Sequence, residues 1–138
     1  MKGAKGEERV FTSREDEISY QIIGAAIEVH RALGGPGLLE SVYEEALIWE
    51  LTSRGLTVSR QVEVPIHYKG NLLASPLRVD ILIDKLVIVE NKAVTNYNPI
   101  FEAQTLTYLR LMNLRLGLVI NFGEQFVKKG IHRVVNGL

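Results

Sequence analysis

The 138-residue chain reads as an α/β protein of the α+β kind, a mixed β-sheet flanked by helices in the order ααβββαββ. Three observations predict this. Apolar residues recur at helical spacing in the first third, alternate with a period of two after Gly55, and return to helical spacing after Asn98. A hydrophobic fraction of 46% against 23% charged residues is that of an ordinary globular protein. At this length one domain is expected, residues 14–138 after a flexible tail at 1–13, burying roughly 68% of its unfolded surface.

The elements follow in order. From Arg14 to Leu33, the residues Ile18, Ile22, Ala26, Val29 and Leu33 form one helical stripe, and Gly34-Gly35-Pro36-Gly37 ends it. A second helix is predicted from Leu39 to Arg54, with Val42, Ala46 and Leu47 inward and Gly55 as its C-cap. "TVSRQVEVPIHYKG" alternates and closes on a turn at Gly70-Asn71. "LLASPLRVDILI", interrupted by Pro76, and "LVIVENKAV" supply two more strands. Asn98 as N-cap with Pro99 behind it opens a third helix, and "RLGLVINFG" and "GIHRVVN" close the sheet.

Composition narrows the function. Without cysteine there are no disulfides and no thiolate metal sites. The N-terminal stretch has no apolar signal core and no run is long enough to span a membrane, so a cytoplasmic protein is expected. Residues 1–69 carry 8 Lys/Arg against 11 Asp/Glu, and residues 70–138 carry 8 against 5. Lys128, Lys129 and Arg133 lie in an acid-free terminus, either as a solvated edge or as phosphate contacts. There is no G-x-S-x-G, Walker A or G-x-G-x-x-G motif, and three scattered histidines make no zinc site.

The informative stretch is "VDILIDKLVIVENKAV" (Val79 to Val94), which places Asp80, Glu90 and Lys92 inside apolar strands. A buried charge needs a partner or neutralises itself. Glu90 and Lys92 share a face. A two-residue turn at Asp84-Lys85 would set Asp80 opposite Val89, so bringing Asp80 to Glu90 requires a loop centred on Lys85 or a bulge. Glu40 shares a helical face with Tyr43, Leu47 and Leu51, and Gln104 with Phe101, Tyr108 and Leu111, so each helix is expected to aim one polar group inward. A hard divalent cation, Mg²⁺ or Mn²⁺, would give Asp80, Glu90 and Glu40 a common purpose, with Lys92 beside a phosphate. Tyr43, Tyr108 and His30 are either satisfied core residues or accessory groups.

Asp80 followed by Glu90-Asn91-Lys92 resembles the D…ExK signature of the PD-(D/E)XK nuclease superfamily. Gly37-x-x-Glu40-x-x-Tyr43, "AQTLTYLRL" and "GLVINFG" resemble blocks of the small bacterial and archaeal GxxExxY proteins. The resemblance implies a restriction-endonuclease-like fold with Asp80, Glu90 and Lys92 at metal and catalytic positions. It maps Glu40 to an acid on the first core helix, and Gln104, with Tyr108, to the polar position after the ExK strand. Val79 replaces the proline of the motif, and Asn91 stands where an apolar residue is usual. The implied function is Mg²⁺-dependent hydrolysis of DNA or RNA phosphodiesters. The alternative is a non-catalytic binding or assembly module of the same fold, and a homo-oligomer would enlarge the surface available to nucleic acid.

Overall fold

The computed structural model describes residues 9–74 and 77–138. The expectations for residues 1–8 of the tail and for the break at Pro76 lie outside the described residues. Of the remaining tail, Arg9 stacks over the Tyr20 ring at 4.3 Å and Phe11 packs 5.6 Å from it. Ser13 then caps helix α1 (Arg14–Ala32) by accepting the Asp16 N–H.

Helix α2 spans Glu40–Ser53 and α3 spans Ile100–Met112. Strands β1 (Val58–Glu63), β2 (His67–Tyr68), β3 (Asn71–Leu72), β4 (Arg78–Ile83), β5 (Val87–Lys92), β6 (Leu116–Asn121) and β7 (Ile131–Val135) complete the chain. The main sheet has the order β1-β4-β5-β6-β7, antiparallel except for the parallel β5–β6 pair. This agrees with the expected mixed sheet flanked by helices. One face carries Ile81, Ile83, Val87, Val89, Leu116 and Leu118 against α1 and α2. The other carries Leu82, Ile88, Val119 and Val134 against Leu109 of α3.

The long strand expected at 57–70 is divided. Pro65 has no N–H to give a ladder, so β1 stops at Glu63 and a separate two-stranded hairpin, β2–β3, follows. Its turn falls on Lys69-Gly70, both left-handed, one residue earlier than expected.

Two helices are rotated from their expected settings. In α2 the buried line is Tyr43, Leu47 and Leu51, while Val42 is 39% exposed. In α3 the buried line is Thr105 and Leu109, which leaves Gln104 and Leu111 exposed. The cause in α3 is a close approach to β6: a Cβ at Gly117 would stand 2.7 Å from Thr105 Cγ2. The glycine and the small Thr105 let the helix seat on that line and no other. Leu33, at the C-cap of α1, is also part-exposed.

Candidate functional site

The β4–β5 connection decides whether a site forms. Asp84 and Lys85 both take left-handed backbone, and the Leu86 N–H closes the turn on the Ile83 carbonyl at 2.9 Å. The tight turn therefore sits where the sequence placed it. Leu86 then slips out of register as a bulge, so Ile83 pairs with Val87 and Ile81 with Val89. Asp84 holds this geometry from outside: its backbone N–H and its Oδ1 both bond Thr57 at 2.8 Å, and its Oδ2 pairs with Arg14 at 2.6 Å. One residue of slip puts Asp80 opposite Glu90.

There the ladder gives way to side chains. The Asp80 N–H donates to Glu90 Oε2 at 2.7 Å, and the Asn91 N–H donates to Asp80 Oδ2 at 2.8 Å. Backbone donors that a sheet would satisfy with carbonyls are satisfied by the two carboxylates instead. Burial pushes the Glu90 carboxyl up to about 8, and the Asp80 charge adds to it, while the Asp80 N–H and Lys92 oppose it. Burial also raises the Asp80 carboxyl, against the pull of the Asn91 N–H. Two desolvated acids thus lie at one fork of the sheet, each bonded to the backbone of the other's strand.

Lys92 lies on the same face, its Nζ 4.5 Å from the centre of the Phe101 ring. Its backbone is fixed from β6. The Phe122 N–H donates to the Lys92 carbonyl at 2.8 Å, and the buried Asn121 amide grips both the N–H and the carbonyl of Val94, at 2.9 and 3.0 Å. Asn121 is a positioning residue that residue-by-residue reading missed, although it stands inside the "GLVINFG" block.

The remaining candidates divide. Tyr108 belongs to the site's surroundings: burial raises its hydroxyl, and the Glu90 and Asp80 charges add to that. Glu40 is the first residue of α2 and is exposed rather than inward, since no preceding turn of helix covers it. Its carboxyl is nevertheless raised by partial desolvation and by Asp80. Gln104 is exposed for the reason given by the setting of α3. Among the described residues, no three His, Cys, Asp or Glu side chains converge to hold a metal. The expected three-carboxylate set of Asp80, Glu90 and Glu40 is thus not assembled. A pair of hard oxygen donors does suit Mg²⁺, which takes one or two carboxylates and completes its shell with water and phosphate.

Tyr43 and His30 take the core alternative. The Tyr43 hydroxyl donates to the Gly35 carbonyl at 2.6 Å and accepts the Leu38 N–H at 3.2 Å, and its ring stacks on Phe122 at 4.7 Å. His30 Nε2 donates to the Glu124 carbonyl at 2.9 Å. It borders a 710 Å³ cleft that includes Lys128 but not Asp80, Glu90 or Lys92. Lys128 and Lys129 are exposed on a 3-10 turn (Val127–Gly130) beyond β6. Because β5 and β6 are parallel, that turn is at the same end of the sheet as Lys92. Arg133 is not a free cation: it pairs with Asp16 at the start of α1, at 2.5 Å.

Two further residues were missed. Glu44, one position past Tyr43, is buried and accepts from Arg60 at 3.3 Å and Gln61 at 3.1 Å. Its charge reaches Asp80 and Glu40. No local pattern marks either Glu44 or Gln61.

The chain belongs to the PD-(D/E)XK nuclease superfamily, whose model matches residues 16–134. No curated protein and no solved structure matches it. Nucleases of this superfamily generally use divalent metals, and nucleic acid is the partner the superfamily implies. Among the described residues no helix is long and apolar enough to cross a membrane.

Proposed function

We propose that this protein hydrolyses nucleic-acid phosphodiester bonds with Mg²⁺ or Mn²⁺, using Asp80 and Glu90 as the metal-holding acids and Lys92 as the catalytic cation. The observation that carries the reading is the fork of β4 and β5, where Glu90 accepts the Asp80 N–H and Asp80 accepts the Asn91 N–H, with Lys92 on the same face. The bound cation would supply Lewis-acid polarisation of the phosphate and a more acidic water. Asp80 and Glu90 present oxygens oriented by backbone donors. Lys92 offers an ammonium to the charge that grows on the phosphate. Glu40 and Tyr108 fit as groups at the rim that orient water or the scissile strand, and Gln104, exposed one turn before Tyr108, as a contact to substrate. Lys128 and Lys129 fit as backbone contacts further along the same sheet end. The Gly37-x-x-Glu40-x-x-Tyr43 spacing and the "NFG" block support placement among GxxExxY proteins, and a cytoplasmic setting suits a chain without cysteine.

The competing reading is a nuclease-fold assembly module. The exposed Leu39 (74%), Val42 (39%) and Trp49 (72%) along α2 favour it, as a face for a second copy of the chain. The deciding experiment is cleavage of single- and double-stranded DNA and RNA with Mg²⁺ and Mn²⁺, by wild type and Asp80→Ala. Metal-dependent cleavage that Asp80→Ala abolishes supports the enzyme. Cleavage by neither, or by both equally, overturns it.

A further inference from the structure

Within β1, Gln61 has φ of 52°, a left-handed value in the middle of an extended strand. The β1–β4 register runs from Val58↔Ile83 to Glu63↔Arg78 and omits only the pairing of Gln61, which falls opposite Asp80. In a regular strand, residues 60 and 61 would point to opposite faces. Here both reach one carboxylate: Arg60 Nη2 and Gln61 Nε2 donate to Glu44 Oε2, at 3.3 and 3.1 Å. The left-handed turn of the backbone at Gln61 is what makes this double contact available. Arg78 Nη1 donates to the Gln61 carbonyl at 3.3 Å and holds the distortion open.

From this we infer that Gln61 is a positioning residue of the metal site: it stands opposite Asp80 of β4 at the edge of the sheet, and its side chain ties β1 to Glu44 of α2. The inference rests on the proposed metal-dependent reading of Asp80 and Glu90. Glycine or asparagine would take this backbone at lower cost than glutamine. The reason for glutamine therefore lies in its amide, and strained residues of this kind concentrate at functional sites. The amide gives the buried Glu44 a donor at 3.1 Å, which pins the distorted backbone opposite Asp80. Arg60 completes the arrangement by pairing with the same Glu44 oxygen at 3.3 Å.

Gln61→Gly relieves the backbone and deletes the amide. Mn²⁺ binding to the full chain and the resonance of the Asn91 amide proton, which donates to Asp80, separate the two effects. Gln61→Gly should keep or raise the melting temperature while weakening Mn²⁺ binding roughly 10- to 100-fold, the usual loss when a residue supporting a metal ligand is removed. The Asn91 amide resonance should shift as well. Gln61→Asn, which tolerates the left-handed backbone but is one methylene short, should behave similarly and serves if the glycine variant does not fold. Unchanged Mn²⁺ affinity with an unmoved Asn91 resonance would overturn the inference. If wild type itself binds no Mn²⁺, the metal reading falls, and the Asn91 resonance alone decides: shifted in the variants it upholds the positioning of Asp80, unmoved it ends it.

Discussion

Replacing Glu90 by glutamine should stabilise the protein in the absence of metal, and increasingly so as pH rises. In the folded state the Glu90 carboxyl is raised from 4.5 to about 8, first by burial and then by Asp80. The folded protein therefore holds a proton that the unfolded chain has already released. Stability from this group is complete below the unfolded value and is lost between about pH 4.5 and about pH 8. At roughly 1.4 kcal/mol per unit of displacement, the whole window is worth about 5 kcal/mol as an upper bound. Water at the rim of the site reduces this, and a loss of about 2 to 4 kcal/mol is expected. The side-chain amide in Glu90→Gln would keep an oxygen for the Asp80 N–H, which bonds Glu90 at 2.7 Å, but carries no charge to desolvate. The assay is urea unfolding of both proteins in EDTA at pH 5 and pH 8, taking the difference between them so that other titrating groups cancel. The gap should open toward pH 8 in favour of Glu90→Gln, and saturating Mg²⁺ should close it by stabilising wild type alone. A Glu90→Gln protein less stable than wild type at pH 8 in EDTA would refute the reasoning.

Lys92→Ala should leave Mn²⁺ affinity nearly unchanged and lower cleavage about 10²- to 10³-fold, as expected for a lost transition-state contact; a stability loss at constant rate per folded molecule would make Lys92 only a packing partner of Phe101. Asn91→Leu should stabilise by roughly 1–3 kcal/mol, because the buried Asn91 amide has no hydrogen-bond partner at either atom among the described residues. Urea unfolding checks it, and a less stable variant would mean the amide is satisfied in solution. Gly117→Ala should cost about 1–3 kcal/mol by forcing α3 off β6 at Thr105, and Thr105→Ser in the same chain should return part of it. Thermal melts of the single and double variants test this.

Much of the architecture was legible because its signals are local. The change of period after Gly55 and again at Asn98 marks where strands begin and end. The Asn98 side chain caps Ile100 as expected, although the helix is counted from the residue after Pro99. Glu90 and Lys92 share a face because alternation needs only a strand. Asp80 was harder. Its pairing depended on one bulged residue, and parity alone left both registers open. Val42 and Gln104 were misplaced because helical spacing defines a stripe but not its rotation. That rotation is set by contacts such as Thr105 against Gly117, which no window of sequence contains. Glu44 and Gln61 were invisible for a related reason. Glu44 stands beside Glu45 and looks like any acid of a solvated helix face, and "SRQVEV" alternates as if its backbone were regular.

The positions of these misses are not random. Glu44 and Gln61 lie where elements distant in sequence meet beside the strand of Asp80, and Gln104 lies on the helix that seats on β6. The carboxylate pair itself is encoded in a single hairpin, whose acids bond each other's strands and need no third element to do so. What the rest of the fold supplies is orientation. Asn121 fixes the chain just beyond Lys92, Asp84 anchors the turn that sets the Asp80 register, and Gln61, opposite Asp80 on β1, is tied to Glu44 of α2. A hairpin with D…ExK spacing can arise in any sheet as a structural ion pair. Here two of those supports come at a cost: Gln61 holds an unfavourable backbone, and Glu44 is buried among polar partners. A salt bridge serving stability alone would need neither. The cost is explained if the geometry of Asp80 matters more than the stability it forgoes.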